Sequence, residues 1–202
     1  MTSLDTGRTN QKRRTRAAIV AAAAALLQAG QTPTVAEVAD AAAVSRATAY
    51  RYFPSQEHLL GEAALELTVP DVRGQVAAAG SAAEARLDVA VGATMEYVLG
   101  HEVALRALLR RSLEPTAAGE APPRRRAGRR LDWAVAALEP IAHQLGEAEH
   151  RRLVAALALL LGIETLVVLQ DVCGLDEVEA QAVARWAAQR LLAGALVEGR
   201  SS

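Results

Sequence analysis

Apolar residues recur at helical spacing along almost the whole chain, and strand-like alternation is absent. Between Lys12 and Gly30 the stripe is Ile19, Ala23, Leu26 and Leu27, and Ala29-Gly30 supplies a glycine stop. Thr34 is an N-cap with Glu37 three residues on, followed by Val35, Val38 and Ala39 on one side of a short helix. Ser45 caps a second short helix through Tyr52. Phe53-Pro54 ends it, because the residue before proline is pushed out of the α region. Ser55 caps a third helix, expected to run to about Thr68 before Pro70. Further helices are expected from Ser81 to Gly100, from there to Ser112, across Leu131–Ile141 with a kink at Pro140, from Glu147 to Val172, and from Asp176 onward. Residues 113–123, with Pro115, Gly119, Pro122 and Pro123, read as a loop.

The fold class predicted is all-α. Residues 1–54 form a helix-turn-helix domain, with residues 1–11 disordered, and residues 55–202 form a helical dimerisation and effector-binding domain. Leu153–Leu169 is apolar nearly all round and needs partners on every side. A second subunit is the natural source, so the last two helices are expected to pair with their symmetry mates as a four-helix bundle.

Two short capped helices joined by a tight turn make a helix-turn-helix. Its second helix presents Arg46, Thr48, Tyr50, Arg51 and Tyr52. Arginine offers a two-pronged donor to phosphate or guanine edges, threonine a hydroxyl and a methyl, tyrosine a phenol that reaches phosphate. Two of the chain's six aromatics stand here beside two arginines. The bland alternative is a helical hairpin with a solvated polar face. It explains any one of these residues but not the whole set.

The stretches Thr34-Val-Ala-Glu-Val-Ala, Val44-Ser45, Thr48-Ala-Tyr50 and Phe53-Pro-Ser55 resemble the DNA-binding domain of TetR-type transcriptional regulators. The resemblance covers about the first quarter of the chain. It implies a homodimeric repressor with a variable C-terminal domain that dimerises and usually binds a small molecule. It places Ser45 at the start of the recognition helix. Arg46, Ala47 and Thr48 would face bases or nearby phosphates, Tyr50 a phosphate, and Phe53 the core. The chain departs from the pattern twice. Ala43 stands where the turn often has glycine, so a slightly different turn is expected. Gln56 stands where a lysine is favoured, which leaves the amide and the helix-start backbone to reach phosphate. The candidate DNA contacts are Thr34, Ser45, Arg46, Ala47, Thr48, Tyr50, Arg51, Tyr52 and Gln56, with Arg13 and Arg14 of the run Lys12–Arg16 ahead of them.

Charge supports a division of labour. Residues 1–60 hold seven Lys/Arg against four Asp/Glu, a net +3; the remainder holds fifteen against nineteen, a net −4. A basic head on an acidic body fits a module that reads DNA and a body that stays off it. The cluster Arg124–Arg126 with Arg129 and Arg130 lacks any aromatic or turn signature and reads as helix surface. The single cysteine, Cys173, excludes an intrachain disulfide, fits a reducing bacterial cytoplasm, and reads as a packed small residue. No signal peptide or membrane span is expected: the apolar runs Ala17–Leu27 and Leu153–Ile163 fall short of about 20 residues.

The sequence carries no glycine-rich phosphate loop, HExxH or Cys-x-x-Cys, and its four histidines are scattered. Neither an enzyme nor a metal or other cofactor is expected. Effector candidates are polar or polarisable groups on apolar body helices: Met95, Tyr97, Trp133, Glu164 and Thr165. Glu164, inside LLLGIETLVVL, must be paired, protonated or wet, and Arg106 or Arg110 is a candidate partner. The expected partners are thus a palindromic double-stranded operator, a second copy of the chain, and an unknown small molecule. The rival readings are a regulator that responds to no ligand and an interaction module with a relic helix-turn-helix.

Overall fold

The structure is a computed structural model that describes residues 3–113 and 128–199, with side chains from Gln11 onward. Among these residues there are helices and turns and no strand. The chain divides into two compact units. One contains residues 1–68 and 101–121, the other residues 69–100 and 122–202. This division differs from the expected 54/55 boundary, because the fourth helix packs on the first and the seventh packs on the fourth. The loop expected at 113–123 and Arg124–Arg126 lie outside the described residues from position 114 on.

The first unit holds α1 (Ser3–Gln28), α2 (Val35–Ala41), α3 (Arg46–Tyr52), α4 (Gln56–Ala63) and α7 (Glu102–Leu113). Its core gathers Ile19, Ala23 and Leu27 of α1, Val35 and Val38 of α2, Ala49 and Phe53 of α3 and its end, Leu59 and Leu60 of α4, and Ala104 and Ala107 of α7. Gly30, at φ +77°, turns the chain out of α1 as its sequence position predicts. Helix α1 begins at Ser3, so residues 3–11 are helical rather than disordered; no proline stops the helix growing out of its packed half. Helix α4 ends at Ala63, short of Thr68. The chain instead makes tight turns, Leu65 N–H to the Glu62 carbonyl (3.1 Å) and Glu66 N–H to the Ala63 carbonyl (3.0 Å), and Thr68 N–H is held by the Gln28 side chain (3.0 Å).

The second unit holds α5 (Val72–Ala78), α6 (Ala83–Gly100), α8 (Arg129–Leu138), α9 (Glu147–Ala158), α10 (Ile163–Leu166) and α11 (Glu177–Gly199). Helix α6 is central, packed by α5, α8 and α11. Pro140 converts the end of α8 into a 3-10 helix, Glu139–Gln144. The continuous helix expected from Glu147 to Val172 is broken. Leu159–Gly162 interrupts it with a bend of 61°, Gly162 is fully extended, and α10 runs on into a π-helix, Val167–Val172. Two features accompany the break: Leu161 and Gly162 are buried, and a side chain at Gly162 would collide with the Arg130 guanidinium. Cys173, expected to be packed, is exposed at the end of the π-helix. No single described helix is long and apolar enough to cross a membrane.

Candidate nucleic-acid interface

The interface is built from two caps and one turn. Thr34 and Glu37 close a capping box at α2: Thr34 N–H donates to Glu37 Oε2 at 2.7 Å, and Glu37 N–H donates to Thr34 Oγ1 at 3.3 Å. The Thr34 N–H first, and second the Thr34 hydroxyl, which donates to the same carboxylate oxygen at 2.9 Å, hold the Glu37 carboxyl below its ordinary pKa. Helix α2 ends in a Schellman turn. Val44 N–H reaches the Ala39 carbonyl (3.0 Å) and Ala43 N–H the Asp40 carbonyl (3.2 Å). Ala43 sits at φ +53°. The turn is therefore the left-handed one, made without glycine, and not the altered turn expected from the alanine.

Ser45 caps α3, its Oγ accepting from Thr48 N–H at 3.2 Å and donating to Thr48 Oγ1 at 2.9 Å. Ala49 and Phe53 anchor the helix in the core. Ala47, Arg46, Tyr50 and Arg51 face outward, Tyr50 48% exposed. Arg46 reaches back over the turn to Asp40 at 3.1 Å, with both side chains more than 60% exposed. Such a surface pair is worth about 0–1 kcal/mol, so the guanidinium exchanges partners at little cost.

Two of the expected contacts are engaged within the protein. Tyr52 is half-buried against the head core, with the Arg51 guanidinium 5.5 Å from its ring centre. Its body is spent on packing. The Gln56 amide donates to the Pro33 carbonyl (3.1 Å) and more weakly to Thr32 (3.5 Å), which ties α4 to the loop before α2. Lys12, Arg13 and Arg14 of the basic run are exposed, and Arg16, also partly exposed, pairs with Glu62 and lies 5.3 Å from the Phe53 ring centre.

Glu62 is the charged centre of this unit that sequence reading missed. It is 7% exposed and faces Arg16, Arg111 at 2.7 Å and His58 at 3.4 Å. Burial alone would raise its pKa. The hydrogen bond from Arg111 and the charges of Arg16, Arg111 and His58 outweigh that and hold it below the ordinary value. A lone carboxylate in the apolar run LLGEAAL was the available signal.

The family model for bacterial regulatory proteins of the tetR family matches residues 19–63. Residues 19–63 are thus a TetR-family DNA-binding domain, and the chain that carries it is a DNA-binding transcriptional regulator. No curated protein and no solved structure matches it. The matched residues run from the middle of α1 to the end of α4, so the TetR-family match spans both caps, the turn and Glu62. It stops short of the second unit.

In that unit the five effector candidates do not gather around one described cavity. Met95 is fully buried, Trp133 nearly so, and the buried Thr165 hydroxyl donates to the Leu159 carbonyl at 2.5 Å. Tyr97 is half-buried; burial raises its phenol pKa against a smaller opposite pull from Arg129. Glu164 is paired, as its setting required, but with Arg130 at 2.7 Å. Arg106 is held by Glu102 (2.6 Å) and Arg110 by Glu57. A groove of about 520 Å³ opens elsewhere in this unit, between α5, α6 and α11, and none of the five lines it.

Proposed function

We propose that this regulator is a homodimeric repressor that leaves a palindromic operator when a small molecule binds its second unit. The observation that carries the DNA-reading part is α3 itself, a capped helix anchored by Ala49 and Phe53 with Arg46, Ala47, Tyr50 and Arg51 turned outward. Arg46, Ala47 and the methyl of Thr48 take base edges. Tyr50, Arg51, Ser45, Arg13 and Arg14 hold phosphates, and the start of α2 at Thr34 offers the same backbone a helix-end contact.

Dimerisation is supported by an apolar stripe that the described residues leave uncovered. Val183, Trp186 and Val197 share one side of α11 and are exposed, Trp186 by 62%; Val168 and Val172 of the π-helix are exposed too. Large apolar groups left in water mark an interaction surface. A second copy contributing the same stripe covers it by two-fold symmetry and sets two α3 helices on half-sites about 34 Å apart or a multiple of that. Release follows if the effector binds the non-DNA conformer more tightly. Such a repressor works in the bacterial cytoplasm, where the chromosome lies.

The test is binding of the full-length chain to its own upstream DNA and to a scrambled duplex at two salt concentrations. A preference of about 10³-fold or more matches a specific regulator. Weak binding, equal on both and abolished by salt, is phosphate contact alone and defeats the operator reading.

A further inference from the structure

The groove of about 520 Å³ in the second unit has a composition that selects its ligand. On α6, Asp88, Gly92 and Glu96 stand four residues apart and so follow one another along a single face. Arg185 of α11 crosses to this face, bonded to both the carboxylate and the carbonyl of Asp88. Gly92 makes room for it, since a Cβ there would collide with the guanidinium. Asp88 and Arg185 cancel. Glu96, two turns along from Asp88, is exposed and meets no cation among the described residues. The groove therefore carries one uncompensated negative charge. Gln75 and Gln181 add side-chain amides, and Leu99 adds apolar surface.

We propose that this groove is the effector site and that its ligand is a protonated primary amine on a short hydrocarbon body. The assignment rests on the effector reading given above and names the ligand class for it. The charge excludes anions. No aromatic ring lines the groove, so a quaternary ammonium lacks the π-faces that recognise it. A primary ammonium has three N–H donors instead, to be accepted by the Glu96 carboxylate and the amide oxygens of Gln75 and Gln181. The volume falls within the range of small-molecule sites. The groove also stays open in the proposed dimer. Gln181 and Arg185 face α6, while Val183 and Trp186 lie on roughly the opposite side of α11, as a helix of 3.6 residues per turn requires.

The experiment is calorimetric titration of the full-length chain with three probes on one six-carbon chain: hexylamine, hexyltrimethylammonium and hexanoate. Hexylamine gives a saturable isotherm, hexyltrimethylammonium binds about tenfold or more weaker, and hexanoate gives no isotherm. Glu96→Gln weakens hexylamine by about tenfold or more, the loss expected when one member of a charge pair is removed. Glu177→Gln, at the start of α11 and outside the groove, binds like the parent. Equal binding of the three probes, no saturable binding of hexylamine, or an unchanged isotherm for Glu96→Gln overturns the assignment. Operator binding at saturating hexylamine separates this inference from the reading beneath it. Glu96-dependent hexylamine binding that leaves the protein on DNA upholds the ligand class and defeats release by effector.

Discussion

Ala43 holds a left-handed backbone that an alanine adopts at a cost of roughly 1–2 kcal/mol. Glycine there would lose that strain, at an unfolded-state entropy cost of roughly 0.5–1 kcal/mol. The strain is the larger quantity, so Ala43→Gly is expected to stabilise the protein by up to about 1 kcal/mol, read as a higher urea midpoint at unchanged slope. Operator affinity should not move, because the turn already has the geometry that glycine favours. The position was legible in the sequence; its conformation was not. An alanine could have forced a different turn, and only the Schellman bonds from Ala43 and Val44 decide the matter. Glu62 teaches the reverse. Its signal was present, a carboxylate in an apolar run, but its partners come from positions 16, 58 and 111, which no local pattern connects. Because its folded pKa is depressed, its contribution to stability is fully present above about pH 4.3, the unfolded value, and is lost as acid carries the pH down through the folded value. Glu62→Gln should lower the urea midpoint at pH 7 and flatten the fall in stability below pH 4.3. A fall as steep as the parent's would show that other carboxylates set the acid limit.

At the scale of elements, most boundaries that sequence marked with caps and breakers were placed well, the end of α4 well before Pro70 being an exception. Thr34, Ser45 and Ser55 each cap a helix, and Gly30 and Pro140 each end or alter one. Where no breaker stood, the pattern ran on too far. Leu159, Leu160 and Leu161 continue an apolar helix by every local rule, yet the chain bends there, and the Arg130 guanidinium of α8 occupies the space beside Gly162, a contact that no local pattern announces. The allegiance of α7 to the first unit was likewise hidden, since periodicity says which face is apolar and nothing of what covers it. Gly61 is where α4 and α7 meet. A Cβ there would lie 3.3 Å from the Ala107 carbonyl oxygen, and that backbone cannot swing aside as a side-chain end could. Gly61→Val should therefore push the two helices apart and cost about 1–3 kcal/mol in urea unfolding, the usual penalty of overpacking. Gly61→Ala should cost less. Equal stability for the parent and both variants would mean that α7 is not firmly seated on α4.

At the scale of the whole molecule the proposed function calls for something that neither unit supplies alone. In the proposed dimer a second copy holds another α3 in register, which doubles the base pairs read and so raises specificity. The stripe on α11 is the surface offered for this. Trp186 is the largest group on it and sits between Val183 and Val197, so it is the point at which a charge does most harm. Burying an unpaired carboxylate in a subunit contact costs several kcal/mol, whereas in a monomer the same side chain stays in water at almost no cost. Trp186→Glu should consequently leave the helical content and the urea midpoint of the isolated chain near those of the parent. Sedimentation should show a shift from dimer to monomer. Operator binding should fall towards the affinity for scrambled DNA, because a monomer keeps its phosphate contacts but loses the second half-site. A dimer that persists with Trp186→Glu would place the subunit contact elsewhere. A monomer that still prefers its operator by the full margin would mean that one head is sufficient, and the palindrome would then have no role in recognition.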